Sequence, residues 1–141
     1  MSGRLIVALC AAPFIAAAAP PARILIVTGS SDLQYHDWRL TTSYLRHALA
    51  NAGRFDVRVV EDPKALTGEA LAGYDAVVFI YYGPRWGSGP ESAIEQFVRS
   101  GKGVLSFHGV SYGPLIGTTQ KSGGGWELTP PWPEYARLIG A

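Results

Sequence analysis

Residues Arg23-Ile24-Leu25-Ile26-Val27-Thr28-Gly29-Ser30-Ser31 run apolar and β-branched up to a glycine stop. A strand that is apolar without alternation buries both of its faces, so it belongs inside a sheet covered by helices on each side. Ala76-Val77-Val78-Phe79-Ile80-Tyr81 and Val104-Leu105-Ser106-Phe107 repeat the pattern and predict two further buried strands. Phe55 to Val60 alternates instead, as suits an edge strand exposed on one side, and Asp62-Pro63 ends it.

Helical spacing fills the gaps. From Arg39 to Ala52 the apolar Leu40, Tyr44, Leu45, Ala48, Leu49 and Ala52 recur at helical intervals, with Gly53 as terminator. Residues 64–72 predict a short helix interrupted by glycine. Pro90 suits the first turn of a helix that brings Ile94, Phe97 and Val98 to one face and stops at Gly101. Residues 113–131, rich in Gly, Pro, Ser and Thr, read as a mobile loop, and a last helix is expected from Trp132-Pro133-Glu134 to Gly140. Strand alternating with helix predicts an α/β fold, an open parallel sheet with helices on both faces joined by right-handed crossovers.

The 141 residues fit one domain, and 48% hydrophobic against 16% charged residues describes a globular chain. Twelve basic and eleven acidic side chains show no basic run that would neutralise a phosphate backbone, so no nucleic-acid partner is expected. Residues 1–18 combine Arg4, an apolar stretch from Leu5 to Ile15 and Ala16-Ala17-Ala18, the layout of a secretory signal peptide. A buried first strand is the competing reading, against which Pro13 and the Ala/Pro tail speak. The apolar run is shorter than the ~20 residues of a membrane span. The mature chain, residues 23–141, is therefore expected in the periplasm or outside the cell and off the membrane. Cleavage removes Cys10, the single cysteine, leaving neither disulfide nor cysteine nucleophile.

In open parallel sheets ligands bind beyond the carboxyl ends of the strands. Three clusters fall there: residues 29–38, Tyr81 to Trp86, and the segment from His108 to Tyr112. Imidazoles exchange protons near neutral pH and ligate metals, so His108 and His36 are the candidate acid/base groups or ligands for a divalent ion such as zinc. Glu134 is the third catalytic candidate. Gly29, Asp37, Trp38, Tyr81, Tyr82, Gly83, Trp86 and Tyr112 are the candidate substrate contacts, the aromatic ones offering faces to a sugar ring. Each also has a structural reading: His108 as a hydrogen-bonded core residue, Asp37 as a helix cap, Glu134 as a carboxylate at a helix start, and the aromatics as core. The later glycines of a dinucleotide fingerprint are missing after Gly29. Ser106-Phe107-His108-Gly109-Val110 occupies the place of a nucleophile elbow, but its centre is histidine, which excludes a cysteine thioester mechanism.

The ordered set His36-Asp37-Trp38 with Thr41-Thr42, Gly53-Arg54-Phe55, Glu61-Asp62-Pro63, Gly73-Tyr74-Asp75, Tyr82-Gly83 with Trp86, Gly101-Lys102-Gly103, His108 and Trp132-Pro133-Glu134-Tyr135 resembles the trehalose-utilisation (ThuA-like) family. That family is related to class I glutamine amidotransferases and lacks their cysteine. The resemblance implies a flavodoxin-like, amidotransferase-like fold and action on carbohydrates, disaccharides or their keto derivatives. Gly109-Val110-Ser111-Tyr112 departs from the Asn and Phe the family often has there. Family members usually continue past the equivalent of Gly140, so this chain is expected to be a C-terminally incomplete copy. The expectation is an exported hydrolase, lyase or isomerase acting on a sugar through His108 and His36. The alternatives are a non-catalytic carbohydrate-binding or sensing module of the same fold, and a structural domain without ligand. Oligomeric state is not legible in the sequence.

Overall fold

A computed structural model describes residues 19–31 and 36–140, with His108 and Tyr112 described through their backbones. The expected signal peptide, residues 1–18, lies outside the described residues. In chain order the elements are β1 (Ala22–Val27), α1 (Trp38–Asn51), β2 (Phe55–Val60), α2 (Gly68–Leu71), β3 (Ala76–Phe79), α3 (Ser88–Arg99), β4 (Gly103–Ser106), β5 (Thr118–Gln120), β6 (Trp126–Leu128) and α4 (Tyr135–Ile139). Short 3-10 turns at Pro63–Ala65 and His108–Tyr112 join them. Among the described residues no helix is long and apolar enough to cross a membrane.

Four parallel strands stand in the order β2-β1-β3-β4. β1 is central because both of its faces are apolar: Ile24, Leu25, Ile26 and Val27 are all buried. Alternation sends Leu25 and Val27 to one face, with Val77, Phe79, Ile94, Phe97, Trp86, Trp132 and Tyr135. Ile24 and Ile26 turn to the other, with Val57, Val78 and Ile80 beneath Trp38, Leu45 and Leu49 of α1. Among the described residues, α2, α3 and α4 cover one face and α1 covers the other.

Several expectations are corrected. α1 buries the Trp38, Thr42, Leu45 and Leu49 side, while Leu40 and Tyr44 point to solvent at 69% and 75% exposure. The pattern misled because Thr42 substitutes for an apolar residue on the inner face. The helix expected over 64–72 divides into the 3-10 turn and α2, since Asp62 and Thr67 each cap a new start. Residues 113–131 are not a loop throughout: β5 and β6 pair antiparallel around the glycine-rich turn. β4 is less buried than its composition predicts, because among the described residues it is the last strand of the sheet.

Candidate functional site

The carboxyl ends of β1, β3 and β4 open onto a cleft of about 180 Å³. From the β1 side come Ser30, Ser31 and His36, joined by Trp38 and Thr41 of α1. Ile80, Tyr81 and Tyr82 follow β3, and Phe107, Gly109 and Val110 follow β4. Three segments far apart in sequence meet here because parallel strands with right-handed crossovers deliver all their carboxyl ends to one rim.

Local chemistry holds each segment. Asp37 caps α1, its carboxylate accepting the amides of Arg39 at 2.9 Å and Leu40 at 3.2 Å. The Arg39 guanidinium lies 4.2 Å above the Trp38 ring. Beneath the helix, the hydroxyls of Thr28 and Thr42 hydrogen-bond at 3.0 Å in a fully buried contact, anchoring α1 to the end of β1. The Tyr82 amide donates to the Ser30 carbonyl at 2.9 Å, and Ser30 Oγ returns a bond to the Tyr82 carbonyl at 3.2 Å. These bonds extend the sheet by one parallel bridge between Ser31 and Tyr82. Tyr81 donates to the Pro84 carbonyl at 2.8 Å, closing the turn after β3.

The turn from His108 to Tyr112 is braced from below. Tyr135 OH donates to the Val110 carbonyl at 3.2 Å and lies 3.1 Å from Ser106 Oγ. Burial pushes the Tyr135 phenol up to about 12, with the Ser106 hydrogen bond pulling the other way. The phenol is accordingly a neutral brace throughout the physiological range.

Of the sequence candidates, His36, Trp38, Tyr81 and Tyr82 line one cleft. His108 starts the turn between the lining residues Phe107 and Gly109, and Tyr112 ends that turn; their side chains lie outside the described residues. Asp37 is exposed at the helix cap. Gly29 and Gly83 serve close packing: a Cβ on Gly29, at φ +114°, would stand 1.6 Å from the Glu61 carbonyl oxygen, and one on Gly83 would stand 2.6 Å from Ser30 Oγ. Trp86 is buried in the helix-covered core, edge-on to Phe79 at 5.2 Å and to Tyr81 at 5.6 Å. Glu134 precedes α4 and pairs with Arg137 at 3.4 Å, away from the cleft lining. Among the described residues no group of three His, Cys, Asp or Glu side chains is placed to hold a metal ion. The lining residues Ser30, Ser31, Thr41, Ile80 and Phe107 were not singled out from sequence. For Ser30, Ser31, Ile80 and Phe107 the available signal was their position just after strands, whereas Thr41 lies in the first turn of α1.

A second network forms where the segment after β3 meets α3. Arg85 forms a fork to the buried Glu91, with Nε 3.0 Å from Oε1 and the second nitrogen closer still to Oε2, and donates to the Pro131 carbonyl at 2.6 Å. Trp132 Nε1 donates to Glu95 at 2.8 Å. Together they pin the return of the β5–β6 segment to α3.

A family model described as ThuA, trehalose utilisation, matches residues 23–137, most of the chain. The chain belongs to the ThuA family. Two solved structures of ThuA-like proteins resemble it. One, from Parabacteroides merdae ATCC 43184, shares 23% identity over 72% of this chain with a TM-score of 0.57. The other, from Bacteroides uniformis ATCC 8492, shares 22% over 72% with a TM-score of 0.56. At that identity the likeness shows the fold, a flavodoxin-like, amidotransferase-like parallel sheet. The matched part spans 40% and 42% of those two chains. No curated protein matches the chain.

Proposed function

We propose that this ThuA-family chain is an exported protein that binds a carbohydrate in the cleft at the ends of β1, β3 and β4 and turns it over by acid/base chemistry at His36 and His108. The observation that carries this reading is the convergence of an imidazole, Trp38, Tyr81, Tyr82 and the Ser30, Ser31 and Thr41 segments around one cavity. Aromatic faces accept the apolar face of a sugar ring, and hydroxyls and backbone groups meet its edges. An imidazole beside the ring can take a proton from one hydroxyl and return it to another atom, as isomerisation, elimination and hydrolysis all require. If a divalent ion takes part, His36 and His108 are its candidate ligands. Export rests on the leader-like residues 1–18.

The test pairs calorimetry on a panel of mono- and disaccharides and their keto derivatives with a product assay on the same panel. His36→Ala and His108→Ala are expected to lower turnover about 100- to 10,000-fold with the fold intact, the usual range for losing an acid/base group. Full activity in both variants on a sugar that is turned over overturns the catalytic assignment.

A second reading, a binding or sensing module, is favoured by one feature: among the described lining residues His36 stands with no carboxylate, lysine or second imidazole beside it. Sugar binding with no product from any member of the panel decides for the module.

A further inference from the structure

Among the described residues that line the cleft, three carry aliphatic hydroxyls: Ser30, Ser31 and Thr41. Two of these are committed to the protein's own backbone. Ser30 Oγ donates to the Tyr82 carbonyl at 3.2 Å, and Thr41 Oγ1 donates to the Asp37 carbonyl at 2.9 Å. Close by, Thr28 and Thr42 satisfy one another, and Ser106 is met by Tyr135. Ser31 is the exception: its Oγ is buried and has no hydrogen-bond partner. Folding took that oxygen out of water without replacing the bonds it lost, which is unfavourable, and buried polar atoms left in this state are few in native proteins. The backbone around it is pinned. Ser31 forms the parallel bridge to Tyr82, and the residue before it exchanges two bonds with Tyr82, at 2.9 and 3.2 Å. The fold thus fixes an unspent hydroxyl where the end of β1 meets the segment after β3, at the cleft lining.

We propose that Ser31 Oγ is a specificity-determining contact of the bound carbohydrate, hydrogen-bonding one ring hydroxyl and so fixing which way round the ring lies; this rests on the reading of the cleft as a sugar site. A serine hydroxyl both donates and accepts, and a sugar hydroxyl does the same, so the two match whichever of them gives the proton. Staggered wells about Cα–Cβ offer the oxygen three positions, and on binding it takes the one that meets the ligand, with the bridged backbone unmoved. Aromatic faces such as those of Trp38 and Tyr82 hold a ring by its apolar surface and say little about which edge points where. A directed hydrogen bond supplies that discrimination, because a ligand lacking the hydroxyl leaves the serine as unpaired as before. The unpaired state of the free protein is the counterpart of that selectivity, a local loss of stability at a binding site.

Two measurements on Ser31→Ala test this. In urea unfolding without ligand, its midpoint is expected to equal or exceed that of the wild type, because the change deletes an unpaired group, whereas Ser30→Ala, which deletes a bonded one, should fall below it. In titration calorimetry with the best-binding sugar of the panel, Ser31→Ala should bind about 2- to 10-fold more weakly, the range for one hydrogen bond. Among single-deoxy analogues of that sugar, one should bind the wild type more weakly than the parent sugar does, and Ser31→Ala should bind that analogue and the parent equally. A lowered urea midpoint for Ser31→Ala shows a structural hydroxyl and overturns the inference. Unchanged affinity for every sugar of the panel, or undiminished discrimination against each deoxy analogue, also overturns it and leaves the cleft a sugar site. No binding of any sugar by the wild type overturns the sugar reading and this inference with it.

Discussion

Tyr135 donates its phenolic hydrogen to the carbonyl of Val110, tying α4 to the turn in which His108 stands. Tyr135→Phe keeps the ring and removes the bond, leaving a buried carbonyl short of a partner. The expected loss is about 1–2 kcal/mol, read from urea unfolding. The raised phenol also makes the wild type sensitive to alkali. Since the folded value lies above the unfolded one, the contribution is whole below about 10 and disappears as pH rises toward about 12. Tyr135→Phe should lack that alkaline step.

Thr28 and Thr42 share one buried hydrogen bond, which makes them a pair for a double-mutant cycle. Replacing either threonine by valine strands the other hydroxyl and is expected to cost about 1–3 kcal/mol. The double variant should cost less than the sum of the two singles, since no orphan remains. Strictly additive losses would show that the contact does not anchor α1.

Glu91 is buried and the Arg85 side chain is one-third exposed, at 33%. Glu91→Gln leaves the guanidinium without its counter-ion and is expected to destabilise by about 2–4 kcal/mol, toward the low end for a partly exposed partner. Because Arg85 also holds the Pro131 carbonyl, faster hydrogen exchange at residues 126–132 should accompany the loss.

Asp75 is held below the ordinary carboxylate range, first by the Arg23 amide and then by the Lys102 ammonium. A depressed folded value means that the contribution is present above the unfolded carboxyl value and is lost as pH falls through the folded one. Unfolding midpoints from neutral into acid solution should therefore fall less steeply in Asp75→Asn than in the wild type.

Trp38 projects from the first turn of α1 into the cleft lining. If its ring stacks on a sugar, Trp38→Ala should weaken binding about 2- to 10-fold, the equivalent of roughly 0.5–1.5 kcal/mol for an aromatic contact. Titration calorimetry with the best-binding sugar of the panel gives the answer, and unchanged affinity removes Trp38 from the site.

The parallel sheet was legible in the chain because burial on both faces leaves a local mark, an unbroken apolar run at residues 24–27 and again at 77–80. Asp37 was legible as a cap for the same reason: its partners are two and three residues away. The convergence of residues 36, 82 and 107–110 followed from topology, since parallel strands share one carboxyl rim. Three matters were settled only in three dimensions. Trp86 and Tyr82 stand four residues apart in one aromatic cluster, yet Trp86 joins the helix-covered core and Tyr82 lines the cleft. The Tyr135, Thr28 and Arg85 bonds reach partners at least six and up to 46 positions away, a separation over which no residue pattern repeats. The exposure of β4 depends on whether another strand lies beside it, and hydropathy records a residue's preference for burial, not the neighbours available to bury it.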